Sequence, residues 1–260
     1  MEDILSKICN DKRNAVRQAK KKLSGEQICQ QLKCSEFKKR SFFDVLKNKI
    51  SQRQNAVISE VKKASPSAGV ICQNFDPVKI AQNYQENGAS CISVLTEEKY
   101  FQGSDQYLID IKKAVNLPIL RKDFILDEYQ ILESKLIGAD CILLIMAALS
   151  DDQAQKLEAK AIEIGLDVLI EVHNKQELDR ALKLQSKLIG INNRDLTTLK
   201  VDINNSVNLV DHIPSEYVVI CESGIKSISD IKKINDAGIF GFLIGESFMS
   251  GEFDLKSIDK

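Results

Sequence analysis

Short apolar runs recur along most of the chain at a steady interval. They are AVISEV (56–61), ASCISVLT (89–96), LPILRK (117–122), ADCILLIM (139–146), DVLIEV (167–172), KLIGINN (187–193), YVVICES (217–223) and FGFLIGES (240–247). Ile, Val and Leu dominate these eight runs and strict alternation is weak, the pattern of parallel strands covered on both faces. Amphipathic stretches separate them. Pro77 to Gln85 is one, with Asp76 as N-cap and Pro77 at the first helical position. Residues 127–139 and 151–165 are others, ending at Gly138 and Gly165, and KQELDRALKLQ follows Asn174. Residues 227–238 open with Ser227 and Asp230 at capping-box spacing and end at Gly238.

Eight strand–helix alternations predict an α/β fold, a (β/α)8 TIM barrel. A doubly wound open sheet is the competitor, but it usually has fewer strands and often a Gly-rich first turn, which is missing after AVISEV. Residues 1–50 fall outside the repeat. They predict a helix from Lys7 to Leu23 and a second from Phe42 to Ile50, an N-terminal extension packed on the barrel. No Pro/Gly/Ser-rich linker divides the chain, so residues 1–260 are expected to form a single domain.

Composition narrows the function classes. Lys and Arg number 36 against 37 Asp and Glu, a formal net charge of -1. No broad nucleic-acid surface is expected from that balance. The runs Lys20-Lys21-Lys22 and Lys38-Lys39-Arg40 are expected to be solvated helix faces. The seven cysteines are odd in number, scattered and without CxxC spacing, which argues against a disulfide framework and against zinc. Neither a signal peptide nor an apolar run of membrane-spanning length is present. A reducing cytoplasm is the expected location, with no membrane partner.

Candidate chemistry appears where each run meets its loop, since barrel active sites lie at the carboxyl ends of the strands. The stretch ISEVKKASPSAG carries Glu60 and Lys62 two residues apart, on one face of an extended chain. The third run ends in Lys122, the fifth in Glu171, the sixth in Asn192 and the seventh in Glu222. The second leads to Tyr100 and Phe101, and Phe124 follows the third. One mouth then holds lysines and glutamates of opposite charge, the equipment of acid–base catalysis near neutral pH. Aromatic side chains beside it would cover a flat substrate.

The last two runs end differently. Ser223-Gly224 and Gly245-Glu246-Ser247 put small residues where the chain turns into a helix. Glycine admits close approach of backbone N–H groups to an anion, and these two loops form the usual phosphate site of the barrel. Glu246 would have to point its carboxylate away. His173 reads as a loop-edge or capping residue, His212 as a surface residue, and Cys221, opposite in phase to Glu222, as packing.

Together these motifs resemble the indole-3-glycerol-phosphate synthase family of tryptophan biosynthesis. SEVKKASPS, ISVLTEEKYFQGS, LPILRKDFILDEYQI, GADCILLI, VLIEVH, IGINNRDLTTL, CESGI and GFLIGESFM occur in that order between about Ser41 and Met249, while residues 1–40 match loosely. The resemblance implies decarboxylating, dehydrating ring closure of 1-(2-carboxyphenylamino)-1-deoxyribulose 5-phosphate to indole-3-glycerol phosphate, carbon dioxide and water. It implies Lys122 as general acid and Glu171 as general base. Glu60 would assist at the sugar hydroxyls and in dehydration, and Lys62 would hold the substrate carboxylate. Asn192 and Glu222 would orient the substrate and stabilise the iminium charge. Ser65, Arg194, Ser223, Gly224, Gly245 and Glu246 would surround the sugar and phosphate, with Phe101 and Phe124 as walls. No cofactor or metal is implied. The partners implied are the phosphorylated small molecule and other tryptophan-pathway enzymes, with the chain a monomer or weak homodimer. The family also occurs fused to a second barrel, which the few residues after the eighth run would not supply. The alternatives are a phosphoribosylanthranilate isomerase-like barrel, which wants a Cys/Asp pair, a Schiff-base aldolase on Lys122, and a non-catalytic phosphate-binding barrel.

Overall fold

The computed structural model describes residues 4–34, 38–195 and 198–258. Eight parallel strands close into a barrel: β1 (Ala56–Val61), β2 (Cys91–Leu95), β3 (Ile119–Lys122), β4 (Cys141–Ile145), β5 (Asp167–Val172), β6 (Leu188–Asn192), β7 (Val218–Glu222) and β8 (Gly241–Ile244). They follow one another around the ring in chain order, and β1 closes it by pairing with both β2 and β8. Each predicted run contains one of these strands.

Both strand faces are buried. Ile58, Leu120, Leu143, Leu169, Ile220 and Leu243 fill the barrel interior. Val57, Ile92, Ile142, Ile170, Ile189 and Phe242 pack outward under the helices. Burial of each such side chain contributes about 1.5–3 kcal/mol, so both faces are mainly apolar and strict alternation is lost. Cys91 and Cys141 fill the interior and Cys221 packs outward against Asn193 and Ser206.

The helices are α1 (Ile4–Lys22), α2 (Gly25–Leu32), α3 (Phe42–Ser51), α4 (Pro77–Glu86), α5 (Glu98–Phe101), α6 (Asp105–Ala114), α7 (Glu128–Leu136), α8 (Asp151–Glu163), α9 (Lys175–Ala181), α10 (Asn204–Val210), α11 (Ile228–Asp236) and α12 (Glu246–Met249). Asp76 and Ser227 cap as predicted, and Asp127 and Asn174 do the same: each accepts a backbone N–H of the following turn. The helix after Asn174 is shorter than its pattern suggested and ends at Ala181. Sequence patterning set no bounds for α2, α5, α6 and α10, and the helix expected after Gly245 is the short α12.

The N-terminal segment does more than pack on the outside. Phe42 and Leu46 of α3 are fully buried against Ala56, Cys91 and Cys141, at the amino ends of the strands, and plug the floor of the barrel. Asp167 holds α3 there by accepting the Phe42 and Phe43 N–H groups at 2.8 and 3.0 Å. The stretch at residues 38–40 is coil rather than a solvated helix face. Arg40 donates its guanidinium to the carbonyls of Lys112, Val115 and Leu117, and Lys39 pairs with Asp167. These basic residues stitch the floor. Lys20 pairs with Asp127, while Lys21 and Lys22 are exposed. Among the described residues no helix is long and apolar enough to cross a membrane.

Candidate active site

At the carboxyl ends of the strands the inward alternation changes from apolar to charged. Glu60, Lys122, Glu171, Asn192 and Glu222 stand one layer above the apolar interior, the last inward-facing positions of β1, β3, β5, β6 and β7. With Lys62, Ser65, Phe101, Phe124, Arg194, Ser223, Gly224, Gly245 and Glu246 they line one cavity. These fourteen residues singled out from the sequence are therefore brought together. Tyr100 is not: its hydroxyl donates to Asp11 of α1 at 2.5 Å.

Lys122 is the hub. Its ammonium lies 3.0 Å from Glu171 Oε2 and 3.1 Å from Glu222 Oε2. Burial works against its charge, but Glu171, Glu222 and Glu60 outweigh burial and raise its pKa, so the lysine stays protonated. The two carboxylates differ. Glu171 Oε1 accepts from Asn192 Nδ2 at 3.2 Å and has His173 Nε2 at the same distance. Glu222 Oε1 is buried and has no hydrogen bond. Burial would raise both groups. For Glu171, Lys122, His173 and Asn192 prevail and hold it well below the usual carboxylate range. For Glu222, burial and the neighbouring Glu171 charge prevail over Lys122 and push it up to about 7. The pair titrates as a unit, and Glu222 takes the proton more readily because Lys122 alone offsets its burial, whereas Glu171 also has His173 and Asn192.

Glu60 forms a second pair with Lys62, Oε1 to Nζ 2.7 Å. Burial raises it, and the ammoniums of Lys62 and Lys122 more than compensate, holding it below its ordinary value. A Cβ on Gly245 would lie 2.6 Å from Glu60 Oε1 and 2.9 Å from Glu60 Cβ. Gly245 is thus required first by the glutamate beside it. Lys62 meets the same Glu60 oxygen, which puts its ammonium on the β8 side of the mouth.

The loops after β7 and β8 have the expected small residues and a strained turn. Ser223 and Gly224 both adopt left-handed backbone, φ 66° and 88°. For the serine this costs roughly 1–2 kcal/mol, and Asn193 Nδ2 holds its carbonyl at 3.0 Å. A Cβ on Gly224 would strike Val201 and Ile203. Ser247 Oγ donates to the Ile225 carbonyl at 2.6 Å and ties the two loops together. Glu246 points to Arg194, 3.4 Å away. Ser65 accepts the Ala68 N–H within its own loop. Leu196 and Thr197 of the sixth motif lie outside the described residues.

The aromatic walls meet: the Phe101 and Phe124 rings are 6.3 Å apart and tilted by 40°. Three site elements escaped the sequence reading. Ile4, Leu5 and Ile8 of α1 line the cavity, so the extension roofs the mouth. Lys12 clamps it there through Asp123, the neighbour of Lys122, at 2.7 Å. Gly190 of β6 leaves room for Glu222, whose Oε1 would be 2.1 Å from a Cβ at that position. A glycine inside an apolar strand was the available signal. His173, expected at a loop edge, instead stands against Glu171. Its signal was the two-residue spacing that singled out Glu60 and Lys62.

A closed (β/α)8 barrel with half-buried lysines among buried glutamates at the carboxyl ends of its strands, under an apolar roof, is an acid–base enzyme of the TIM-barrel class. The comparisons with known proteins narrow this further. The family model described as indole-3-glycerol phosphate synthase matches residues 5–259, and the chain belongs to that family. Relatives with the same description include one from Azospirillum brasilense, 48% identical over 97% of this chain and 96% of its own. One from Acidithiobacillus ferrooxidans is 49% identical over 96% and 94%. One from Polaromonas naphthalenivorans is 46% identical over 97% and 95%.

Proposed function

We propose that this chain catalyses the ring closure of 1-(2-carboxyphenylamino)-1-deoxyribulose 5-phosphate to indole-3-glycerol phosphate, a decarboxylating carbon–carbon lyase reaction. The observation that carries this is the Lys122 ammonium between Glu171 and Glu222, beneath the Phe101–Phe124 wall. The substrate is an anion at both ends with a flat ring at one. The mouth offers Lys62, Lys122 and Arg194 as cations and the two phenylalanines as a ring wall.

In this reading the ring carbon bearing the carboxylate attacks the ketone carbon. Lys122 donates its proton to the ketone oxygen as the bond forms. Carbon dioxide then leaves, and its bonding electrons neutralise the iminium beside Glu222 and Asn192. Glu171 takes a proton from the adjacent methylene carbon while the new hydroxyl, protonated by Lys62 and oriented by Glu60 beside it, departs as water. Lys62 holds an anionic group of the substrate from the β8 side and is the second candidate acid. Ser65, Arg194 and the loops bearing Ser223, Gly224, Gly245 and Glu246 hold the sugar and phosphate, with backbone N–H groups as donors. Ile4, Leu5 and Ile8 exclude water from the charged steps.

The isomerase-like alternative lacks its cysteine, since Cys91 and Cys141 are buried in the barrel interior and Cys221 packs outward. Seven free cysteines suit a reducing cytoplasm. The test is indole fluorescence on adding the substrate to the purified chain. Its absence with folded protein would refute the assignment.

A further inference from the structure

His173 takes no part in the steps above, yet it stands closer to the base than any residue but Lys122 and Asn192 requires. Its Nε2 is 3.2 Å from Glu171 Oε1, close enough for an ion pair though not aligned for a hydrogen bond. Its Nδ1 is 3.0 Å from Glu177 Oε2, and its backbone N–H donates to the same oxygen at 2.8 Å. Glu177 is fixed in turn: Asn174 Nδ2 donates to its other oxygen at 2.7 Å. The His173 carbonyl accepts from Asn205 of α10 at 3.1 Å, which locks the backbone on the remaining side. The side chain is buried. The imidazole is oriented at Nδ1 by Glu177 and faces the Glu171 carboxylate with Nε2.

We propose that His173 is a positioning residue for Glu171: with Glu177 as its anchor it presents an imidazolium to Oε1, which leaves Oε2 aimed at Lys122 and the substrate. This rests on the reaction proposed above and deepens it. The charged groups around Glu171 are Lys122 on β3, Glu60 on β1, Glu222 on β7 and His173 itself, with neutral Asn192 on β6. Around His173 they are Glu171 and Glu177. Burial disfavours the imidazolium, but the carboxylates of these two glutamates, one beside each ring nitrogen, raise its pKa to about 10. A group that stays charged across the working range acts as a fixed cation, and Glu171 is the weaker base for it. The chain Glu177–His173–Glu171–Lys122 is therefore a device for holding the carboxylate ionised and still.

The chain has two histidines, so imidazole resonances are readily assigned by NMR. In the wild type His173 should remain protonated well above pH 7, and in Glu177→Gln its midpoint should fall by about one unit or more. The side-chain carboxyl resonance of Glu171, followed by ¹³C NMR, should titrate at higher pH in His173→Asn than in the wild type. Both readouts are independent of turnover. In kinetics, His173→Asn should lower kcat on the order of tenfold with KM within about twofold, and move the acid limb of kcat/KM upward. Glu177→Gln should do the same more weakly. His173 titrating near 6.5 in the wild type, or a Glu171 resonance unmoved by His173→Asn, would overturn the proposal. If the wild type does not turn over the substrate, the assigned reaction fails while the two titrations still decide the positioning.

Discussion

The floor and the mouth of the barrel each bury a lysine against carboxylates, and they use it in opposite ways. At the floor Lys112 of α6 meets both oxygens of Asp140, at 2.7 and 2.6 Å. Asp140 also accepts the Arg40 and Ile119 N–H groups at 2.7 and 2.8 Å. Burial lowers the pKa of Lys112, and its single counter-charge offsets this only in part. At the mouth three glutamates outweigh burial and raise Lys122. Every Asp140 oxygen is filled by protein, whereas Glu222 lines the cavity with one oxygen on Lys122 and the other buried over Gly190 without a partner. A fully satisfied network fixes geometry, and a partly satisfied one leaves a carboxylate that can change its protonation state. Buried charge alone does not distinguish a site from a staple.

That contrast can be broken at several points. The largest effect is expected for Glu171→Gln, which should lower kcat about 10²–10⁴-fold and change KM far less, as steady-state kinetics will read. A change confined to KM would make Glu171 a binding residue. Gly190→Ala should come next. Its Cβ must displace the Glu222 carboxylate, and a misplacement of that size costs on the order of 10²-fold in turnover, with circular dichroism confirming the fold.

Glu222→Gln sharpens the contrast through pH. The raised pKa of Glu222 means its stabilising contribution is present below the ordinary carboxylate range and fades as pH rises through about 7. Glu171 and Glu60 are lowered, so theirs is lost only as pH falls through the acid range. Thermal melts should show Glu222→Gln gaining on the wild type between about pH 5 and 8, on the order of 1–3 kcal/mol. No relative gain would mean that Glu222 is ionised throughout. The smallest effect concerns the phosphate loops: inorganic phosphate should compete weakly with substrate, and Gly224→Ala should weaken that competition. An unchanged inhibition constant would move the phosphate site elsewhere.

Much of this was legible in the sequence because a parallel barrel repeats one physical unit. Buried β-branched runs, capped helices and polar strand tips each follow from local chemistry, and Lys122, Glu171 and Glu222 were found by reading the last residues of a run. What stayed hidden depended on contacts between distant segments. Ile4, Leu5 and Ile8 have an ordinary amphipathic pattern, and only tertiary packing shows that their partner is the mouth. Arg40 reads as one of a basic run, yet the floor needs it for three carbonyls. Gly245 reads as an anion-binding glycine, while its nearest neighbour is Glu60. His173 was discounted as a single histidine at a loop, since its meaning comes from Glu171 and Glu177 together.

The central claim is that the mouth performs the chemistry and the floor holds the fold, and one paired measurement tests it. Lys122→Ala and Lys112→Ala are compared with the wild type for thermal stability and for the rate of indole fluorescence from substrate. Lys122→Ala should stay folded and lose nearly all turnover, about 10²–10⁴-fold. Lys112→Ala should lose stability on the order of 3–5 kcal/mol, because Asp140 is left buried and unpaired, while its folded fraction turns over substrate within a few-fold of the wild type. Turnover within a few-fold of wild type in Lys122→Ala, or a folded and stable Lys112→Ala that is inactive, would contradict it.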